Sequence, residues 1–153
     1  KQFKDYNFAT ERSQHLMSLG IPLNTDSTLK GQTVFLAERC GELMTENIIT
    51  DRTVIDVMAF TLNAKSIHHQ DKELFETYAS EFVREYDYIF YISPYGLEIE
   101  DNGVRETDEY YRDLIDFTIT TLIKRHGHKA GKLEKISGST EERIQQILNI
   151  TGL

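Results

Sequence analysis

The sequence predicts a mostly parallel, three-layer α/β fold, and three observations carry that expectation. Short apolar, β-branched or aromatic runs alternate along the chain with longer segments of helical periodicity. The runs number four, at residues 6–10, 47–51, 87–93 and 132–136, and helical segments separate each from the next. No Gly/Ser/Pro-rich linker and no internal repeat interrupts the 153 residues, so the pattern is that of one domain.

Each element has its own local reason. Tyr6 to Thr10 alternates as a short strand and ends in Glu11-Arg12. Residues 13–20 form a helical turn closed by Gly20, and Ile21-Pro22-Leu23-Asn24 is a loop. Ser27 or Thr28 caps a helix to about Thr45, with Val34, Ala37, Cys40, Gly41 and Met44 at helical spacing as its inward face. Asn47 to Thr50 is an apolar, β-branched run that suits a buried strand. A helix over 53–63 follows it. After the loop His68-His69-Gln70-Asp71 comes a helix over 71–85, with Leu74, Phe75, Tyr78 and Phe82 on one face. Asp87 to Ser93 is the clearest strand, stopped by Pro94 and Gly96. Residues 95–108 are polar and aperiodic and carry Asn102-Gly103, the pattern of an exposed, mobile loop. The longest helix spans 108–125, with Tyr111, Leu114, Ile115, Thr118 and Leu122 inward. Lys132 to Ile136 is a strand, Ser137-Gly138-Ser139 a turn, and 140–150 a closing helix whose first turn holds Glu141-Glu142, complementing the helix dipole.

Composition narrows the function. A net charge of −8 and 27% charged residues lack the basic footprint that duplex nucleic acid or anionic membranes require. Cys40, the single cysteine, has no intrachain partner, which suits a reducing, cytoplasmic setting. No apolar run reaches membrane-spanning length and no signal peptide is visible.

Asn47 to Asp56, reading N-I-I-T-D-R-T-V-I-D, is the most informative segment. A buried strand ends there in Asp51-Arg52, a second acid follows at Asp56, and a helix begins. Charges where a parallel strand yields to a helix lie on the carboxyl edge of the sheet, where open α/β folds bind ligands. Two more clusters have this character, Glu11-Arg12 and the loop-borne Arg105 with Arg112. Strand-end acids hold a metal-bound water or accept a hydroxyl proton, and arginines clamp phosphate oxygens bidentately, a combination suited to phosphoryl transfer. The plain alternative for each pair is a local salt bridge or helix cap.

Other features read as structure. The acids of Glu98 to Asp101 lack the alternate-position pattern of an EF-hand. His68-His69 and His126-Gly127-His128 have no ligand partners at zinc-like spacing, so a metal-dependent hydrolase built on Asp51, Asp56 and the histidines ranks third. Tyr86, Tyr88, Phe90 and Tyr91 read as core packing around a strand. Gly127 to Leu133 imitates a phosphate-binding loop, but has three residues between its glycines and leucine where a hydroxyl belongs.

With these clusters placed, the chain resembles P-loop nucleoside and nucleotide kinases, and in particular small AAA-like ATPase domains related to nicotinamide riboside kinases, common in phage and bacterial genomes. The matching segments are T-E-R at Thr10 to Arg12, T-D-R-T-V-I-D at Thr50 to Asp56, Y-D-Y-I-F-Y-I-S-P at Tyr86 to Pro94, D-N-G-V-R-E-T-D-E-Y-Y-R at Asp101 to Arg112, and I-S-G-S-T-E-E-R-I at Ile136 to Ile144. Their order and spacing over nearly the whole chain, rather than any one of them, carry the resemblance.

The resemblance implies ATP and Mg²⁺ as cofactors and a nucleoside, nucleotide or nicotinamide riboside as acceptor. Asp51 would stand near Mg²⁺ and the acceptor, Arg52 would hold a phosphate or substrate group, and Glu11 would occupy the general-base position. Arg105 and Arg112 would close over the donor phosphates from a lid at about 95–112. Ser137, Gly138 and Ser139 would border the adenine, while Arg12, Gln32, Arg39 and Asp56 would contact the acceptor. Members of the family open with a strand, a Walker A loop and a helix, all of which would precede Lys1. The expectation is therefore an N-terminally incomplete P-loop domain, inactive as these 153 residues and binding ATP-Mg²⁺ when full length. Its missing central strand lies, in the family topology, between the Tyr6 and Asp87 strands and would leave a large unpaired hydrophobic slot. The competing expectation is a non-catalytic, kinase-like module that binds a nucleotide or a partner protein, for example in a phage or host-defence assembly. A small-molecule substrate is expected on the first reading, and both leave a homo-oligomer open.

Overall fold

The computed structural model describes residues 3–10, 12–95 and 108–153. Glu11, Arg105 and the whole acidic loop of Glu98 to Asp101 lie outside the described residues, as does most of the segment read as a lid.

The architecture is mixed α/β, with strands β1 (Asn7–Ala9), β2 (Ile48–Thr50), β3 (Tyr88–Ile92) and β4 (Lys132–Ile136). Helix α1 (Ser13–Ser18) and helix α2 (Leu29–Glu42) lie between β1 and β2, while α3 (Val54–Asn63) and α4 (His69–Ala79) lie between β2 and β3. A 3-10 segment, Ser80–Glu85, continues from α4 toward β3. Helix α5 (Glu109–His126) precedes β4, and α6 (Thr140–Thr151) follows it. The expected order is observed, β4 on its predicted bounds and most other ends within about two residues.

The strands form two parallel pairs rather than one continuous sheet. Phe8 aligns with Ile49 in β1–β2, and Phe90 aligns with Glu134 in β3–β4. Local chemistry fixes where β4 joins β3. The Gly131 amide donates to the Tyr86 carbonyl at 2.9 Å, and a Cβ there would come within 2.6 Å of the Asp87 carbonyl oxygen. Only glycine lets β4 start so close to β3.

The core gathers around α3. Thr53 caps it: its hydroxyl accepts from the Ile55 amide, and the Asp56 carboxylate accepts from the Thr53 amide at 2.8 Å. Val54, Ile55, Val57, Met58, Ala59 and Thr61 are all buried, so this helix is covered on nearly every side by α2, α4 and α5. Tyr86 adds a tie, its hydroxyl accepting from the Val54 amide at 3.2 Å. Burial pushes that phenol far above its ordinary pKa.

Three expected faces are corrected. In α2 the buried side is Gly31, Gln32, Leu36 and Arg39, whereas Ala37 and Gly41 are exposed and Met44 lies beyond the helix at 87% exposure. Cys40 is half-buried against the core, and burial raises its thiol pKa. In α4, Phe75 and Ala79 are buried while Leu74 and Tyr78 face solvent; Tyr78 instead packs edge-on against Phe82. Tyr88 is also exposed and stacks parallel to Phe90 with ring centroids 6.0 Å apart. Helix α5 holds the expected side inward, with Tyr111, Ile115 and Leu122 buried.

Two histidines make ion pairs. His126 reaches Glu76 at 2.7 Å beside Arg125, joining the end of α5 to α4, and His69 pairs with exposed Glu73 at 3.5 Å. Among the described residues no three His, Cys, Asp or Glu side chains converge on a metal-sized site. Burial alone would raise the Glu76 pKa, but the His126 and Arg125 hydrogen bonds and charges outweigh it and hold the carboxyl below its ordinary value of 4.5. A depressed carboxyl stabilises the fold above its unfolded pKa and loses that contribution as pH falls through the folded one. The stability lost in Glu76→Gln is therefore expected in full at neutral pH and to shrink below pH about 4.5, measured by urea unfolding across pH.

Candidate functional site

Strand β2 is flanked by two left-handed backbone positions. Asn47 precedes it at φ 51° and Arg52 follows it at φ 81°. Asparagine tolerates the left-handed region; arginine seldom adopts it, and such positions cluster at functional sites. The turn is held by backbone bonds: the Asp51 amide donates to the Ala9 carbonyl at 2.9 Å, and the Asp51 carbonyl accepts from Arg39 Nη1 at 3.0 Å. The exposed Asp51 carboxylate makes no ion pair among the described residues. Arg52 lays its guanidinium 5.3 Å above the Phe60 ring, an attraction between cation and ring face that aims a charge with no ion pair among the described residues.

Asp51 and Arg52 border a cavity of about 1150 Å³. It lies between the two strand pairs, with all of β2 and all of β3 in its lining, and α2, α3 and α5 contribute Arg39, Phe60 and Arg112. Tyr6 and Phe8 also line it, beside the whole of β2.

Several expected residues meet at this cavity. Gln32, Arg39, Asp51, Arg52, Asp56 and Arg112 all line it. Their freedom differs. Arg39 is buried and already bonded to the Asp51 carbonyl and to Glu42 Oε1 at 2.7 Å, so its main role is to position the β2 turn. Asp56 commits Oδ2 to the Thr53 amide and hydroxyl. Arg112 contacts its neighbour Asp113 at 3.4 Å and remains partly exposed. Arg12 lies outside the lining, paired with Glu38 at 3.5 Å. Ser137 and Gly138 line a separate shallow depression, and Ser139 caps α6, its hydroxyl accepting from the Glu142 amide at 3.2 Å.

One pair lies beyond what the sequence pattern predicts. Tyr91 on β3 donates its hydroxyl to Asp116 Oδ1 on α5 at 2.6 Å, and both line the cavity. Burial, then the Asp116 hydrogen bond and charge, push the phenol pKa up to about 12. The available signal is an acid one residue beyond Ile115 in the inward stripe of the longest helix. Asp51, Asp116, Arg52 and Arg112 thus all border the one cavity, two carboxylates and two guanidinium groups, with Asp116 Oδ1 already bonded to Tyr91.

The sequence matches no protein-family model, no curated protein and no solved structure.

Proposed function

We propose that the chain forms the acceptor side of an ATP-dependent phosphoryl-transfer centre, taking a nucleoside, nucleotide or nicotinamide riboside as acceptor. The observation that carries the reading is the Asp51–Arg52 turn. It sets beside each other an acid and an aimed cation that make no ion pair among the described residues, at the carboxyl end of a parallel strand and at the edge of a ligand-sized cavity.

Each residue's task follows from its chemistry. Asp51 stands beside the acceptor hydroxyl, and its exposed carboxylate is available to hold Mg²⁺ through water. Mg²⁺, when bound, neutralises charge on the phosphates. Arg52 grips an anionic group of acceptor or phosphate, its direction set by Phe60. Arg112 faces the same cavity from the first turn of α5 and neutralises charge that grows on the transferring group. Glu11 and Arg105 keep the general-base and lid roles that the resemblance implies. Arg39 positions the Asp51 turn and borders the cavity in which the acceptor would sit. A glycine-rich loop for the donor phosphates is not found in these residues, so the reading requires one from outside them.

The test is acceptor-dependent release of ADP from ATP–Mg²⁺ by the full-length protein, with a nucleoside, a nucleotide and nicotinamide riboside offered separately. Release stimulated by one class supports the reading, and absence of release with all three overturns it.

A further inference from the structure

We infer that Arg12 is a positioning residue for the Asp51 turn, acting through Glu38, Glu42 and Arg39 on α2 rather than by touching the acceptor. It rests on the proposed phosphoryl transfer for the task of Asp51, while the link itself stands on side-chain geometry.

Four side chains make the link. Arg12 follows β1 and lies outside the cavity lining, its Nη1 3.5 Å from Glu38 Oε1. Glu38 and Glu42 stand four residues apart on α2, which places them on one face with Cβ atoms about 5–6 Å apart. Arg39 Nη2 reaches Glu42 Oε1 at 2.7 Å, and its Nη1 donates to the Asp51 carbonyl at 3.0 Å. Each acid thus commits Oε1 to a guanidinium. The second oxygen of each, Glu38 Oε2 and Glu42 Oε2, is buried and has no hydrogen-bond partner among the described residues. Two acids with unused, buried acceptor atoms therefore compete for two cations, and one of those cations also anchors the turn.

Burial decides which way the competition runs. An ion pair between two exposed side chains contributes little. Arg12 is 47% exposed, but Glu38 is only 20% exposed, so loss of Arg12 leaves a largely buried carboxylate without its counter-charge. The other cation of the group is Arg39, and a carboxylate oxygen holds an N–H about twice as strongly as a neutral carbonyl does. The guanidinium then shifts from the Asp51 carbonyl toward the acids, and the turn loosens. The four charges already act on one another at Glu42. Burial raises its pKa most, Arg39 opposes that, and beyond these Glu38 raises it and Arg12 lowers it. A shorter route runs through the backbone, since the Asp51 amide donates to the Ala9 carbonyl three residues before Arg12. Neutralising Glu38 separates the two routes.

The test combines Arg12→Ala and Glu38→Gln in a double-mutant cycle, read by amide exchange at Asp51 and by the carboxyl-carbon NMR titration of Glu42. Arg12→Ala is expected to speed exchange at Asp51 at least threefold. The Lys132 amide, which joins the other strand pair, is expected to keep its rate. In the Glu38→Gln background Arg12→Ala is expected to have no effect, because no second acid competes for Arg39. Arg12→Lys is expected to restore the parent rate within twofold. The Glu42 titration is expected to move up in pH in Arg12→Ala and down in Glu38→Gln. Equal acceleration with and without the Glu38 charge overturns the inference, as does acceleration shared by Lys132. An Asp51 rate that Arg12→Ala leaves unchanged, or a Glu42 titration that neither variant moves, also overturns it. Where acceptor-dependent ADP release is measured, Arg12→Ala is expected to lower kcat at least threefold with KM unchanged. A KM that rises in both backgrounds means direct contact with the acceptor and overturns the inference too. Absence of ADP release overturns the proposed reaction alone, because exchange and titration decide the link without it.

Discussion

Asp51→Asn is expected to lower acceptor-dependent ADP release by about 10²–10⁴-fold while leaving the fold intact. The fixed contacts of Asp51 are made by its backbone, whose amide donates to the Ala9 carbonyl and whose carbonyl accepts from Arg39. Asparagine has nearly the same shape and keeps both bonds. It removes only the negative charge and the capacity to accept a proton. If Asp51 acts in the transition state, kcat and kcat/KM fall together; if it only binds the acceptor, KM rises and kcat is preserved. Initial rates at saturating ATP–Mg²⁺ separate the two, with circular dichroism as the check on folding. Unchanged turnover removes Asp51 from the chemistry.

The elements are legible where their causes are local. Lys132 to Ile136 lies between Gly131, which alone permits the close start, and the Ser137–Gly138 turn, so neighbouring residues mark both ends. Thr28 and Thr53 announce their helices for the same reason: the hydroxyl and the amide it caps are two or three residues apart. Faces are less legible. Periodicity alone places Met44 inward, yet the buried side of α2 carries Gln32 and Arg39. Their burial depends on partners elsewhere, above all the Asp51 carbonyl, and no window along α2 contains that information. The Tyr91–Asp116 bond spans 25 residues and is hidden for the same cause.

The candidate site divides along the same line. Asp51, Arg52 and Asp56 lie close together in sequence, and their place at a strand end is a local property. That Arg112 reaches the same cavity from α5 while Arg12 does not is a consequence of how the two strand pairs sit around α3. Division of the sheet into two pairs is not visible in the strands themselves. Strand pairing is a non-local choice, and four parallel strands joined by helices are compatible with several orders.

Arg39→Ala is expected to destabilise the fold by about 3–5 kcal/mol, because it removes one partner from a buried ionic contact. The guanidinium bridges two elements, Nη1 to the Asp51 carbonyl at 3.0 Å and Nη2 to Glu42 Oε1 at 2.7 Å, and it is nearly inaccessible to water. Without it the largely buried Glu42 carboxylate loses its direct ion-pair partner and keeps only the more distant Arg12 charge, and the β2 turn loses its anchor. For a domain of this length such a loss lowers Tm by roughly 6–20 °C. Burial already raises the Glu42 pKa, and the Arg39 charge is the main influence opposing it. Removing Arg39 raises that pKa further. A carboxyl whose folded pKa lies above its unfolded one binds more protons in the native state, so stability falls as pH rises through that window. The deficit of the variant is therefore expected to be smallest in acid and to grow toward neutral pH. Arg39→Lys is expected to recover only part of the stability, since one ammonium does not span both acceptors in the planar geometry of the guanidinium. Arg39→Met combined with Glu42→Gln is expected to be more stable than Arg39→Ala, because no uncompensated charge remains in the interior. If urea unfolding shows Arg39→Ala within about 1 kcal/mol of the parent at neutral pH, the bridge is not what holds the Asp51 turn. Any fall in ADP release in that variant would then require direct contact between Arg39 and the acceptor.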